Sequence, residues 1–245
     1  MELTFDQYLH GHTICTVDFP FEAESLERVL RSLEPPLYEV GGFRLEGRPK
    51  TPKRHDREIP GDGRKPFLLP VNQTAMNTAI KQELRAEGWT SEPVAAGPMA
   101  GPDTPLSLRG DFVRNRVFVE VEFGNIASMH RDFFKFQIAS RSGAGDVGVL
   151  VTATARLAKF FDSGVTTFEA AQRNRPYLAI GVQMPVWIIG MEPADFSDIG
   201  HRYEEMRLVC TQNGLDCHPF GVALGADVAV EEEAGSEGNT SPDED

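Results

Sequence analysis

The sequence lacks the marks of a membrane, secreted or disulfide-bonded protein. It has three cysteines in 245 residues, Cys15, Cys210 and Cys217, and none of them forms a CxxC pair, so no disulfide framework is expected. No stretch approaches the roughly 20 apolar residues that span a bilayer. The first residues, MELTFDQYLHGH, have neither the basic nor the apolar region of a signal peptide. We therefore expect a cytoplasmic protein with no membrane partner.

The common signatures of small-molecule enzymes are also missing. The sequence contains no GxSxG, HExxH, Walker A or dinucleotide-binding pattern, so a small-molecule hydrolase has no support. What it does contain is ordinary for a globular protein, with 40% hydrophobic and 25% charged residues. The length allows one large domain or two small ones, and a sizeable core.

Charge is segregated along the chain. The formal net charge is −13, but residues 231–245 hold seven acids and no Lys or Arg, which leaves −6 on the rest. In contrast, 44–65 carries eight basic residues against four acids. An acidic protein is a poor candidate for nucleic-acid binding, yet binding depends on the local patch that meets phosphate. A solvated loop explains the basic segment equally well.

The hydrophobic pattern predicts an α/β domain over 1–230, followed by a disordered acidic tail at 231–245. Helices are predicted at 21–33, 72–87 and 126–140. Strands are predicted as a hairpin within 37–47, a second hairpin at 111–113 and 117–123, and two apolar runs at 146–154 and 184–192. Strand, helix and strand in this order imply a parallel pair beside the second hairpin. The stretches 44–65 and 91–109 are predicted to be loops.

Three acids interrupt the second hairpin, GDFVRNRVFVEVEFGN at 110–125. Alternate residues of a strand share a face, so Glu120 and Glu122 point the same way beside Phe118, and Asp111 can join them across the hairpin. Converging carboxylates repel one another and are costly when unpaired, and a divalent cation would relieve them. Oxygen ligands with room for water and phosphate suit Mg²⁺ better than Zn²⁺.

An ordinary edge strand would show the same Glu-Val-Glu alternation on its solvent face, and three spaced acids also recur by chance. The context favours the metal site. An aromatic-rich helix and a continuous apolar strand follow at once, which predicts a central hairpin.

This region resembles the catalytic core of the BglII/BstYI-type restriction endonucleases, in the PD-(D/E)XK nuclease superfamily. Asp111, Glu120 and Glu122 fall on that group's Asp, its Glu nine residues later and the polar residue two further on, and FGN at 123–125 and DVGV at 146–149 follow as they do there. Upstream, NQTAMNTAIKQELRAEGW resembles the helix ending in L-x-x-x-G-W, and PVWIIGMEP resembles a later strand. The resemblance covers about 65–193 and implies a restriction-endonuclease-like core, a mixed central sheet flanked by helices.

The resemblance implies Mg²⁺-dependent hydrolysis of double-stranded DNA at a short palindrome, centred on GATC in those relatives, with 5′-phosphate ends. Asp111, Glu120 and the Val121 carbonyl would bind the metal, and Glu122 would position or deprotonate the attacking water. The superfamily usually has Lys at this third position and the BglII-type group Gln. BamHI-type relatives carry Glu-x-Glu, and Glu can act as a base where Gln only orients. Glu83 is a candidate fourth acid, although a solvent-facing glutamate is the favoured alternative.

Contacts with DNA are expected from basic and amide side chains in loops, where Arg favours guanine and Asn favours adenine. The candidates are Arg54, Arg57, Arg114, Asn115, Arg116, Arg173, Asn174 and Arg175. Reading a palindrome requires a two-fold homodimer, for which the helix 126–140, with Phe133 and Phe136, is a candidate surface. A core-packing helix is an equal alternative. A DNA methyltransferase acting on the same site would be a partner.

Two other functions stay open. The chain could be a nuclease of the same superfamily with another role in defence or repair. It could also be a DNA-binding relative that no longer cleaves, although three intact acids argue against this, because a protein without the activity has no reason to keep repelling carboxylates.

Overall fold

The structure, a computed structural model, describes residues 1–40, 44–46, 67–97, 108–161 and 165–213. The strands are β1 (Glu2–Tyr8), β2 (Arg44–Glu46), β3 (Phe67–Leu69), β4 (Thr90–Ser91), β5 (Phe112–Arg114), β6 (Val117–Val121), β7 (Val147–Ala153) and β8 (Val186–Glu192). The helices are α1 (Gly11–Asp18), α2 (Pro20–Ser32), α3 (Gln73–Ala86), α4 (Ile126–Ser142), α5 (Ala155–Ala158), α6 (Phe168–Leu178) and α7 (Ser197–Gln212).

Six of the strands form a mixed sheet in the order β1-β8-β7-β6-β5-β4. The central strands β6, β7 and β8 are parallel, whereas β1 at one edge and β5 and β4 at the other pair antiparallel. Parallel neighbours need a crossover connection. Here α4 connects β6 to β7, and α5 and α6 connect β7 to β8.

The two faces of this sheet are covered by different helices. Val117 and Val119 of β6 pack into a core that includes the apolar stripes of α2 and α3. Phe118, one residue out of step, lies on the opposite face with α4 and α6, where its ring meets the Phe136 ring edge-on at 6.4 Å. The period of two along β6 therefore decides which side chains α4 can reach.

The predicted fold class is confirmed, a mixed sheet flanked by helices. The helices predicted at 21–33, 72–87 and 126–140 correspond to α2, α3 and α4, and the strands of the second hairpin and the two apolar runs are β5 to β8. The hairpin predicted within 37–47 is wrong. Its second strand, β2, pairs with β3, and Leu37 bridges Val71 instead.

Several elements were not predicted, namely the strands β1, β3 and β4 and the helices α1, α5, α6 and α7. In β1 the alternation is blurred because the strand is only half buried. In α6 the polar run AQRNRPY contains Pro176 near the helix end, and these signals indicated a loop. That expectation is corrected, because the stretch is helical.

Among the residues in the ranges given above, no helix is long and apolar enough to cross a membrane. The proposed acidic tail at 231–245 and most of the basic segment 44–65 lie outside those ranges.

Candidate active site

The hairpin of β5 and β6 brings two of the predicted acids together. Phe112 pairs with Val119, and continuing this antiparallel register places Asp111 across from Glu120, where cross-strand side chains are neighbours. Asp111 Oδ2 also accepts a hydrogen bond from the Val121 backbone N–H at 2.7 Å. The two carboxylates therefore share one end of the hairpin, as the sequence pattern predicts.

Glu120 is buried, and its two oxygens have different surroundings. Oε2 accepts a hydrogen bond from the Lys135 ammonium at 2.7 Å. Oε1 has no hydrogen-bond partner among the residues that the structure describes. A Cβ built on Gly110 would lie 2.9 Å from Oε1, so this oxygen faces the backbone next to Asp111. An unpartnered buried carboxylate oxygen is costly, and it is the donor that a cation would use.

Lys135 reaches Glu120 from α4, on the face of the sheet that carries Phe118. Its ammonium also lies 2.9 Å from Asp132 Oδ1, one helical turn earlier. Both side chains are almost inaccessible, with 6% of Lys135 and 2% of Asp132 exposed. Asp132, Lys135 and Glu120 therefore form a buried ion-pair chain between α4 and β6.

Glu122 follows the last residue of β6 and contacts this ion-pair chain at Asp132. Its Oε1 accepts a hydrogen bond from the Gly124 backbone N–H, and its Oε2 lies 3.8 Å from the Arg131 guanidinium. Burial, the negative charge of Asp132 and a hydrogen bond with that carboxyl raise the pKa of Glu122 to about 7, against the opposing effects of Gly124 and Arg131. A carboxyl with this pKa can accept a proton near neutral pH.

The other acids of the site are also harder to ionise than usual. Burial raises the pKa of Asp111. Burial and the charges of Asp111 and Asp132 raise the pKa of Glu120 well above its ordinary value. Burial alone would lower the pKa of Lys135, but the attraction of Glu120 and Asp132 outweighs it and the pKa is raised. Burial is the largest cause of the raised pKa values of the acids, and the surrounding negative charge adds to it and raises the pKa of Lys135.

Whether the site could hold a metal ion can be judged from its possible donor atoms. In the described part of the chain, no group of three or more His, Cys, Asp or Glu side chains is placed to hold one metal ion. Two of the predicted three are together, Asp111 and Glu120, and Glu122 is directed to Gly124. The pair fits a hard divalent cation, because both donors are carboxylates, Glu120 is buried beside the half-buried Asp111, and Glu120 Oε1 lacks a partner.

Glu83, the candidate fourth acid, is not brought to the site. It is exposed on α3, whose buried stripe of Met76, Ile80 and Leu84 packs on the sheet face opposite Glu120. The part of α3 nearest the site is its first turn, where Gln73 Nε2 donates a hydrogen bond to the Phe123 carbonyl at 2.7 Å.

The hairpin-turn residues proposed for DNA contacts lie at the opposite end of β6 from the acids. Arg114 donates to the Glu87 carbonyl at 2.8 Å and lies 3.5 Å from Glu22. Arg116 forms a two-pronged pair with Asp146. Asn115 and Arg116 have left-handed backbone angles, φ 44° and 69°, as a tight hairpin turn requires. These contacts stabilise the turn.

The remaining DNA-contact candidates divide into two groups. Arg54 and Arg57 lie outside the described residues. In α6, Arg173 is exposed, Asn174 donates to the Ala170 carbonyl of its own helix at 2.8 Å, and Arg175 pairs with Asp6 of β1.

Sequence reasoning assigned no role to Asp132 or Lys135, although they are central to the site's charge. A signal was available. Both belong to the helical stripe that contains Met129, Phe133 and Phe136, and charged residues on a buried stripe need a partner. Phe133 and Phe136, considered as a dimer surface, are buried in the chain's own core, so the alternative of a core-packing face is confirmed for them.

Comparison with known proteins identifies the family of the chain. The family described as restriction endonuclease BglII/BglIII matches residues 3–191, most of the chain. The protein belongs to this family. Among solved structures it is similar to restriction endonuclease BglII complexed with a DNA 16-mer, at 16% identity and a TM-score of 0.56 over 79% of this chain and 78% of that one. Free BglII gives 16% and 0.51, over 79% and 80%.

A shorter match is to the type II restriction enzyme BamHI of Bacillus amyloliquefaciens, with 30% identity over 90 residues. It covers 35% of this chain and 41% of BamHI, so the chain spans about two-fifths of that relative's length. The matches to BglII are too low in identity to show more than a shared fold.

Proposed function

We propose that this family member is a Mg²⁺-dependent type II restriction endonuclease that hydrolyses double-stranded DNA at a short palindromic site. One observation carries the proposal. Asp111 and Glu120 meet at the end of a central hairpin in the family fold, and a buried Glu120 oxygen without a hydrogen-bond partner faces Asp111's end of that hairpin. Such a pair repels itself without a cation.

The residues would divide the work as follows. Asp111 and Glu120, with the Val121 carbonyl by family resemblance, would hold Mg²⁺. When bound, Mg²⁺ would supply positive charge to the scissile phosphate and make an attacking water more acidic. Glu122, whose pKa is about 7, would accept the proton of that water. Attack on phosphorus would break the bond to the 3′ oxygen, leaving 5′-phosphate and 3′-hydroxyl ends.

Recognition of a palindrome requires a two-fold dimer, and we propose that α4 contributes to it. Ile126, His130 and Phe134 are spaced four residues apart on this helix, and all three are exposed. They form one stripe, whose apolar members remain 41% and 58% accessible at Ile126 and Phe134. Exposed apolar stripes on a monomer favour contact with a second copy.

The setting of the reaction also remains a proposal. A GATC-centred site follows only from the resemblance. A nuclease of this kind would need a methyltransferase acting on the same sequence to protect the host DNA, and both would act where that DNA is, in the cytoplasm.

The test is a cleavage assay on unmethylated and methylated plasmid with Mg²⁺, in parallel with a chelator control and the Asp111→Asn variant. Asp18→Asn, at an exposed position on α1, is the matched control. We expect discrete fragments from the unmethylated plasmid, with identical 5′ ends on sequencing, and none with Asp111→Asn or chelator. Removing one such group lowers turnover by about 10²-fold or more.

Other outcomes point to the other functions. Random nicking, or cutting confined to branched or methylated DNA, would favour a different nuclease role. Tight DNA binding without cleavage under any of these conditions would favour a relative that no longer cleaves.

A further inference from the structure

Lys135 is the starting point, because it is the one lysine or arginine that is buried among the residues that the structure describes. Its ammonium contacts two carboxylates, Glu120 at 2.7 Å and Asp132 at 2.9 Å. Lysine is almost never fully buried unless it is paired. The cost of burying this charge therefore has to be balanced by the acids around it.

The acids of the site are in turn stabilised by the positive charge of Lys135. The negative charge of Asp132 contributes to raising the pKa values of Asp111, Glu120 and Glu122, and that of Asp111 contributes to raising the pKa of Glu120, so these acids lie within one electrostatic neighbourhood. The other nearby cation, Arg131, is half exposed and stands 3.8 Å from both Glu122 and Asp132. Solvent screens an exposed charge far more than a buried one. Lys135 is therefore the main counter-charge in the dry part of the cluster.

The position of Lys135 also affects any cation at the site. It binds Glu120 Oε2 and leaves Oε1 facing Gly110, next to Asp111. A cation shared by Asp111 and Glu120 would be held by the same Glu120 carboxylate that the ammonium contacts. Two positive charges on one carboxylate in a buried site repel strongly.

We propose that Lys135 is a built-in counter-ion of the site, which balances the carboxylates in the absence of a divalent cation and lowers the affinity of Asp111 and Glu120 for one. The lowered affinity for a divalent cation rests on the proposed function, whereas the balancing of the carboxylates does not. Lys135 is a positioning residue, since it acts through Glu120.

The experiment uses the full chain and the Lys135→Met variant, which keeps an unbranched side chain one atom shorter and removes its charge. Lys81→Met is the matched control, because Lys81 forms an exposed pair with Glu92 at 2.6 Å. Thermal unfolding is measured in chelator, and Mg²⁺ binding is measured by calorimetry without DNA. Neither readout depends on catalysis.

We expect Lys135→Met to lower the melting temperature in chelator by about 10 °C, the scale expected when one partner of a buried ion pair is removed. Lys81→Met is expected to change it by less than about 3 °C. We also expect Lys135→Met to bind Mg²⁺ at least about tenfold more tightly than the natural chain. Equal stability in chelator, or unchanged or weaker Mg²⁺ binding, would overturn the proposal.

A double variant covers the case in which Lys135→Met does not fold. Adding Glu120→Gln removes the acid that lost its partner, so Lys135→Met with Glu120→Gln should fold and be more stable than Lys135→Met alone. Failure of this rescue would show a packing role and reject the counter-ion.

The two proposals fail separately. If neither the natural chain nor Lys135→Met binds Mg²⁺, the cation site of the proposed function is wrong, and with it the affinity half of this inference. The melting temperatures in chelator still decide the counter-ion half.

Discussion

At the scale of single residues, Glu122 and Asp132 show how burial changes the chemistry of an acid. The Glu122 carboxyl is 11% exposed, and the Asp132 carboxyl, with which it shares a hydrogen bond, is 2% exposed. Two carboxyls in contact favour sharing a proton over carrying two charges. The result is an acid whose pKa is raised to about 7.

The raised pKa of Glu122 predicts how stability changes with pH in the absence of metal. The folded protein binds this proton up to about pH 7, whereas an unfolded glutamic acid releases it near its ordinary value of 4.5. Between these values the folded state holds more protons, so stability falls as the pH rises. In chelator, we expect the natural chain to lose up to about 3 kcal/mol between pH 5 and pH 8 from this group.

Glu122→Gln should remove this share of the pH dependence, as measured by urea unfolding at each pH. Glu83→Gln, at an exposed position of α3, is the control and should follow the natural chain. Identical pH profiles for the natural chain and Glu122→Gln would contradict the assignment.

Sequence reasoning reached part of the site for a physical reason. The period of two along a strand fixes the face of Glu120, and the turn fixes its register with Asp111, so these two could be predicted. Lys135 comes from a different element. Its reach to Glu120 depends on how α4 packs on the sheet, which no local pattern determines. The orientation of the Glu122 side chain could not be predicted for a similar reason, since it follows from the backbone turn at Gly124.

At the scale of elements, the close packing of α4 on the sheet sets the position of Lys135. Gly148 of β7 allows it, because a Cβ there would lie 2.8 Å from the Phe136 ring. Phe136 follows Lys135 directly in α4. A shift of the Phe136 ring therefore moves the Lys135 ammonium as well. The lack of a side chain at Gly148 of β7 thus affects the position of the Lys135 charge beside Glu120 of β6.

Gly148→Ala is therefore expected to be overpacked and to lose about 1–3 kcal/mol in urea unfolding. The double variant Gly148→Ala with Phe136→Leu should recover part of this loss, because the smaller side chain leaves room for the methyl group. Gly181→Ala, where no atom lies within 4 Å, is the control. A Gly148→Ala variant as stable as Gly181→Ala would show that α4 shifts freely.

The predictability of elements followed the strength of their patterns. The helices α3 and α4 have regular apolar stripes and side-chain caps at Asn72 and Asn125, and both were predicted. β2 was paired wrongly because a glycine pair suggested a local turn, whereas its partner, β3, comes after the long basic segment. Long-range pairing has no local signal.

At the scale of the whole molecule, the exposed stripe of α4 predicts the oligomeric state. Phe134→Glu places a charge in the proposed dimer contact and should shift sedimentation from dimer to monomer. Phe21→Glu changes a more exposed phenylalanine on α2, 74% accessible, and should leave the dimer intact. Dissociation by both variants, or by neither, would rule out α4 as the contact.

The charge of the whole chain makes a further prediction. Deleting 231–245 changes the net charge from −13 to −6, so repulsion from DNA should weaken. We expect several-fold tighter DNA binding at low salt, with a difference that shrinks as salt screens the charges. Fluorescence anisotropy across a salt series measures this, and equal affinities at every salt concentration would leave the tail without an electrostatic role.

The pairing of the edge strand β1 has a consequence for folding during translation. Its partner is β8, so Glu2 pairs with Glu192 and Tyr8 with Val186. Because β1 is synthesised long before β8, it must wait for β8 before it can pair. At about 5–20 residues per second, that delay is roughly 10–40 s. β8 pairs with β7 on one side and with β1 on the other. A nascent chain stopped before residue 186 therefore lacks β8 and can form neither pairing.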